Sequence, residues 1–278
     1  MRMRRRLPIR LLRHVLLGIV ILWSVAPIVV VVLSSFKLSR DIFTSPSALF
    51  FQPTLDNYAV IWRRWPTFYT NLLSSAAVTA GATLLAVSVS TASGYIYARY
   101  RSRALGLSAF FMIFVRMLPP IVISLPLFPA VNALGLTDTW TVLIILYAAF
   151  FVSLGTWIMK TTIDQIPPEL DEAARIDGAG TMQVLRRIIL PLSLPGMIAA
   201  GLFVAVYAWN EFLFAFLFTA TQAKTAPLAI SEMMSAMESR DWGLLFAAST
   251  IQLAPVLALV MLAQKYLIAG LTAGSLKG

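Results

Sequence analysis

Six stretches of this chain run for about twenty residues or more with almost no charge, and nothing else in the sequence limits its fold so strongly. They cover residues 15–36, 65–98, 104–128, 139–159, 188–210 and 242–264, and the only charged side chain within them is Arg116. At 1.5 Å per residue, twenty helical residues reach about 30 Å, the thickness of a bilayer's hydrocarbon layer. A backbone in that layer must satisfy its own N–H and C=O groups, so runs of this length imply α-helices. Composition agrees, with 59% hydrophobic and 12% charged residues against roughly 25% charged in a soluble domain. The expected fold class is all-α: a polytopic membrane protein with six transmembrane helices.

The first run follows Arg2, Arg4, Arg5, Arg6, Arg10 and Arg13, as a secretory signal would. It exceeds the roughly 7 to 15 apolar residues of a signal and is expected to be a retained helix. The second run is longer than one crossing needs, so its helix is expected to begin near Asn71, after an interfacial segment. The third carries Arg116 with Pro119, Pro120 and Pro126, and the sixth carries Pro255. Each such proline frees a carbonyl and favours a kink. Residues 212–218 are apolar but too few to cross, and read as a re-entrant or interfacial segment.

Short cytoplasmic loops are enriched in Lys and Arg. One side holds the six N-terminal arginines, Arg99, Arg101, Arg103, Lys160, Arg175, Arg186, Arg187, Lys265 and Lys277. The other holds Lys37, Arg40, Arg63, Arg64, Lys224 and Arg240. Both termini are therefore expected in the cytoplasm. The net charge of +10 follows from this topology and needs no nucleic acid. Cysteine is absent and histidine occurs once, at His14. That excludes disulfide frameworks, thiolate metal sites and cysteine nucleophiles, and leaves no constellation for a membrane-embedded transferase. No catalytic or metal-ligating residue is assigned. The chain is expected to be a single transmembrane permease domain over 1–278: a basic N-terminus (1–14), spans one to four (15–159), a cytoplasmic helix-turn-helix (160–190), spans five and six (191–264) and a tail (265–278).

The longest cytoplasmic connection begins Lys-Thr-Thr-Ile-Asp-Gln-Ile-Pro-Pro. Pro168 suits a helix start, where its missing N–H costs nothing, and Glu169, Asp171 and Glu172 fall in the first turn, which the helix dipole favours. A short helix is predicted over 168–176. Gly178 and Gly180 permit a turn, Thr181 is a candidate N-cap, and a second helix is predicted to run through Arg187 to Pro191. Ala173 and Ala174 leave a small-residue face that another protein can approach closely.

The residues Glu172, Ala173, Ala174, Asp177, Gly178, Ala179, Leu190 and Pro191 reproduce the Glu-Ala-Ala, Asp-Gly-Ala, Leu-Pro signature of the membrane subunits of binding-protein-dependent ABC importers, which this chain resembles. Trp209, Asn210 and Glu211, the segment 116–120, and the C-terminal Gly270, Leu271, Thr272, Ala273, Gly274, Lys277 and Gly278 are similar to the carbohydrate permeases of the maltose-transporter G-subunit type. The resemblance implies a type I ABC importer permease in the cytoplasmic (inner) membrane of a prokaryote. Its eight signature residues would dock with a cytoplasmic ATPase. The implied partners are a second homologous permease subunit, two copies of a P-loop ATPase that bind ATP and Mg, an extracytoplasmic solute-binding protein that the external loops contact, and a carbohydrate substrate. The tail, with Thr272, Gly274 and Lys277, would reach between the ATPase subunits. No Gly-x-x-x-x-Gly-Lys-Ser/Thr sequence occurs, so the chain holds no P-loop, no cofactor is expected in it, and its energy comes from another chain, an ion gradient or nothing.

An ionisable side chain inside a span costs about 2.5 to 3.5 kcal/mol and normally faces the bundle interior. Arg116 and Glu211, with Asn71, Tyr207, Trp209 and Asn210, are candidates to line the substrate pathway, and an Arg116–Glu211 pair is compatible with their depths. The same residues would also serve as a polar cluster locking helices together. An ion-gradient-driven transporter is the alternative, but such proteins usually bury paired carboxylates at midplane, and here the central charge is one arginine. A polyol or glycerol phosphate is the alternative substrate class.

Overall fold

The computed structural model describes residues 6–44, 51–236 and 241–273, with side chains over 12–44, 51–236 and 241–264. Among the described residues every regular element is helical. In chain order these are α1 (Arg6–Ser35), α2 (Asp41–Thr44), α3 (Asp56–Arg64), α4 (Thr67–Arg99), α5 (Arg103–Met117), α6 (Pro120–Ala133), α7 (Trp140–Ile163), α8 (Glu169–Ile176), α9 (Thr181–Val184), a π-helical turn (Leu185–Ile189), α10 (Leu190–Leu192), α11 (Leu194–Trp209), α12 (Leu213–Phe218), α13 (Ala226–Ser235) and α14 (Trp242–Ala273). Within α1, α4, α7 and α14, the stretches Leu12–Ser35, Thr67–Arg99, Trp140–Ile163 and Trp242–Gln264 are each long and apolar enough to cross a membrane unbroken. Two further crossings are bent pairs, α5 with α6 at 97° and Thr181–Leu192 with α11 at 78°, which bring the number to six when each pair is one span.

Three helical expectations need correction. Helix α4 begins at Thr67, not near Asn71, because a separate helix, α3, already occupies the preceding polar stretch. The third apolar run is not one continuous helix but two, sharply bent. Leu118 (ψ 135°) and Pro119 (ψ 134°) are extended, as residues before proline prefer, and Pro120 then starts α6 where its missing donor is harmless. Pro126 and Pro129 stay inside α6, and Pro255 inside α14. Likewise the fifth run is interrupted, with Ser193 between α10 and α11, which starts at Leu194. At about 24 Å α11 is short for the hydrocarbon layer, and α12 follows it as a further short helix. Its apolar face is buried through Phe214, Ala215 and Phe218.

The chain forms two compact units, residues 1–66 with 230–254 and residues 67–229 with 255–278. In the first, Asn57 Nδ2 donates to the carbonyls of Ser35 (2.7 Å) and Lys37 (2.8 Å), tying α3 to the end of α1. Ser39 Oγ bonds Asp241 and accepts from Gly243 N, and Phe43 meets the Trp242 ring edge-on at 5.4 Å. Most apolar side chains in the spanning stretch of α1 remain exposed within the chain.

The second unit is built on the pairing of α4 with α7, against which α11 packs. Small residues make the approach close, as they do where helices meet in lipid. A Cβ on Gly94 would lie 2.7 Å from Met159 Cβ and 2.9 Å from the Lys160 nitrogen. Ser90 Oγ donates across the seam to the Val152 carbonyl at 3.0 Å. Below the seam Val78, Ala82, Leu143, Tyr147, Phe151, Val204, Phe214 and Phe218 share one apolar core.

Candidate functional site

The site candidate is the hairpin α8–turn–α9 between α7 and α11. Its first helix runs from Glu169 to Ile176, one residue short of the prediction, with Pro168 as N-cap and Glu169, Asp171 and Glu172 in the first turn. The turn that follows is a Schellman motif. Gly178 N donates to the Arg175 carbonyl (3.0 Å) and Ala179 N to the Ala174 carbonyl (2.9 Å), with Gly178 at φ 86°. A side chain in this left-handed region costs roughly 1 to 2 kcal/mol, which explains the glycine. Ala174 and Ala179 pack into a core with Tyr95, Met159, Ile163, Val184 and Ile189.

The second arm departs from expectation at its start. Gly180, not Thr181, is the N-cap: its carbonyl accepts from Gln183 N and Val184 N, and its own N–H donates to Gln183 Oε1 at 2.9 Å. The arm then widens into the π turn, where Leu190 N reaches back to the Leu185 carbonyl. Pro191 accounts for this, since it offers no N–H and its ring crowds the carbonyl four residues earlier.

Exposure divides the eight signature residues into two groups. Glu172, Ala173, Asp177, Gly178 and Pro191 face outward, whereas Ala174, Ala179 and Leu190 are partly buried. The outward face also carries Ile176, 86% exposed, and Met182, 57% exposed. Apolar side chains gathered on one exposed face are a candidate surface for another protein. Arg175 donates to Tyr100 Oη at 2.9 Å.

On its inner side the hairpin is fixed by a group that sequence reading missed. Arg99, at the C-terminus of α4, pairs through Nε with Asp171 Oδ2 at 3.0 Å and donates through Nη1 and Nη2 to the carbonyls of Ile163 (3.2 Å) and Ile166 (2.9 Å). Tyr95 Oη donates to the same Asp171 oxygen at 3.1 Å. The two charged side chains are only 8% and 6% exposed. Breaking a buried pair by removing one member costs about 3–5 kcal/mol, because the other charge is left unpaired. Read locally, Asp171 serves the helix dipole and Arg99 the topology. Their shared clue was an arginine ending a span and an acid opening the hairpin helix, which sequence spacing does not connect.

The six pathway candidates do not form one cluster. Arg116 ends α5 and its Nη1 lies 3.5 Å from Ser153 Oγ. Tyr207 stacks on Phe151 at 5.7 Å. Phe151 and Ser153 are two residues apart, about 200° around α7, so Arg116 and Tyr207 reach opposite faces of that helix. Glu211 accepts from Phe214 N (2.9 Å) and Ala215 N (3.4 Å), holding the start of α12. No ion pair joins it to Arg116 among the described residues. Asn71 and Trp209 are buried, while Asn210 is exposed and bonds the Val206 carbonyl. In the tail, Thr272 lies in α14 with its side chain outside the described residues, and Gly274 and Lys277 are outside them altogether. No group of three or more His, Cys, Asp or Glu able to hold a metal occurs among the described residues.

A second fastening lies at the other end of the second unit. Asp138, at φ 57°, accepts from the amides of Ala220, Thr221, Gln222 and Ala223 at 3.0–3.1 Å and from Thr221 Oγ1 at 2.8 Å. Burial alone would raise its pKa, but the amides and the hydroxyl outweigh that and hold the carboxyl well below its ordinary value.

An all-helical membrane chain with two broken crossings and a fastened hairpin between α7 and α11 has the architecture of a transport permease. The chain belongs to the family of binding-protein-dependent transport system inner membrane components, whose model matches residues 90–272. It is 35% identical over 255 residues to the trehalose/maltose transport system permease protein MalG of Thermococcus litoralis, covering 91% of each chain. It is 34% identical over 227 residues to the trehalose transport system permease protein SugB of Mycobacterium tuberculosis, covering 81% of this chain and 82% of that one. Its fold matches a chain of a bacterial ABC transporter involved in the import of the acidic polysaccharide alginate, with a TM-score of 0.74, 22% identity, and coverage of 96% and 98%.

Proposed function

We propose that this chain is one permease subunit of an ATP-driven sugar importer in the cytoplasmic membrane, forming half of the translocation pathway and performing no chemistry itself. The hairpin face made by Glu172, Ala173, Ile176, Asp177 and Met182 docks on a P-loop ATPase, two copies of which bind ATP and Mg and drive the complex. A second permease subunit completes the pathway, and a solute-binding protein delivers the sugar from the outside. The observation that carries this is the outward apolar face of a hairpin whose inner side is held in place: Ile176 is 86% exposed, although its neighbours Ala174 and Ala179 pack against the bundle. Similarity to trehalose and maltose permeases supports a di- or oligosaccharide as the substrate. A structural relative is described in complex with an alginate pentasaccharide-bound periplasmic protein, which supports a binding-protein partner here.

Co-purification from cells expressing the neighbouring permease and ATPase genes tests the docking. The parent chain is expected to retain the ATPase, and Glu172→Lys with Ile176→Asp to lose it while remaining folded in the membrane. Retention of the ATPase by the double variant would remove the docking assignment.

A further inference from the structure

The hairpin meets the bundle through Ala174 and Ala179 in the core and through Arg175 at Tyr100, and one further side chain ties three separate elements together. Arg99 grows from the last residue of α4, bonds the carbonyls of Ile163 and Ile166 at the end of α7, and pairs with Asp171 in the first turn of α8. An arginine fits here because its planar guanidinium offers five donors in a fixed fork, while lysine offers a compact point charge. Its position at a helix C-terminus also suits a cation. The Ile163 carbonyl also accepts from Ile166 N, so the guanidinium clamps the turn that follows α7 at both of its ends. Asp171 is oriented further by Tyr95, one turn before Arg99 on the same helix. Its other carboxylate oxygen, Oδ1, is buried without a hydrogen-bond partner, and Arg99 is the one cation that pairs with it among the described residues.

We propose that Arg99 is the positioning residue that makes hairpin, α4 and α7 respond as one piece, so that displacement of the docked hairpin becomes displacement of the two most closely paired membrane helices. This rests on the importer reading above and deepens it, by assigning the coupling to a guanidinium on a helix other than the hairpin's own. The exposed Lys160–Asp164 pair, i and i+4 on one helix end, lies close in sequence but links no separate elements and provides the contrast.

The test uses the assembled complex in lipid, with spin labels at Glu169→Cys on α8 and Leu84→Cys on α4. The chain contains no native cysteine, and partner cysteines are replaced. The parent is expected to give one narrow inter-label distance. Arg99→Met is expected to broaden or shift it, with Arg99→Lys and Asp171→Asn intermediate and Asp164→Ala unchanged. In proteoliposomes, using trehalose or maltose, whichever the parent imports, the ratio of sugar taken up to ATP hydrolysed is expected to fall about fivefold or more in Arg99→Met, the lower end of usual coupling strengths. Should Arg99→Met fail to assemble, Arg99→Lys decides. An unchanged distance together with an unchanged ratio in assembled Arg99 variants would overturn the proposal, leaving the pair a folding element alone. A parent complex without ATP-dependent uptake would instead count against the importer reading, and the label distances in the same chain would still decide the joint.

Discussion

At the scale of single residues, Asp138, Asp171 and Glu211 act as internal acceptors. Asp138 fills a cradle of four successive amides, the arrangement in which backbone N–H groups concentrate partial positive charge. Because its carboxyl titrates below the ordinary value, the stability it supplies is present at neutral pH. It is lost as pH falls below the unfolded carboxylate value near 3.9 toward the lower folded one. Asp138→Asn is expected to cost about 1.5–3 kcal/mol, the range for hydrogen bonds to a charged group. Thermal unfolding of the purified protein should show the largest gap between parent and variant at pH 7, closing as the pH drops below about 4. Parallel pH profiles would show that the carboxylate charge does not matter there.

At the scale of elements, the α4–α7 seam sets the positions of everything attached to it. Gly94→Leu is expected to force the helices apart, since even a Cβ would meet backbone and Cβ atoms of α7. Overpacking of this kind costs about 1–3 kcal/mol or more, readable as lower thermal stability and lower yield in the membrane. Gly18→Leu, where a Cβ meets nothing within 4 Å, should change neither. The spans themselves were legible because the bilayer imposes length and apolarity on each helix separately: the sixth was expected to begin at residue 242, and α14 begins at Trp242. That 212–218 is too short to cross, and that a helix opens the hairpin, were also readable, from run length and from Pro168. Where prediction failed, the cause was geometry beyond the local pattern. Hydropathy does not register that Pro119 and Pro120 turn one apolar run into two helices at 97°. Nor does any periodicity connect Arg99 with Asp171, 72 residues away.

For the molecule as a whole, the charge bias predicts that the hairpin and the Asp138 cradle face opposite sides of the membrane. With no native cysteine, single cysteines report this cleanly. Thr221→Cys should react with an impermeant maleimide in spheroplasts, and Ile176→Cys only after the membrane is opened; the reverse pattern would invert the topology and with it the proposed docking. The Schellman turn after α8 has a consequence for genetics. Gly178 and Ala179 close the hairpin through their own hydrogen bonds, while Glu172 and Ala173 of the same signature stay outward. Loss-of-uptake alleles across this signature should therefore fall into two complementation classes. Those at Glu172 and Ala173 should be rescued by compensating changes in a partner gene, whereas those at Gly178 and Ala179 should be rescued only by changes within this chain.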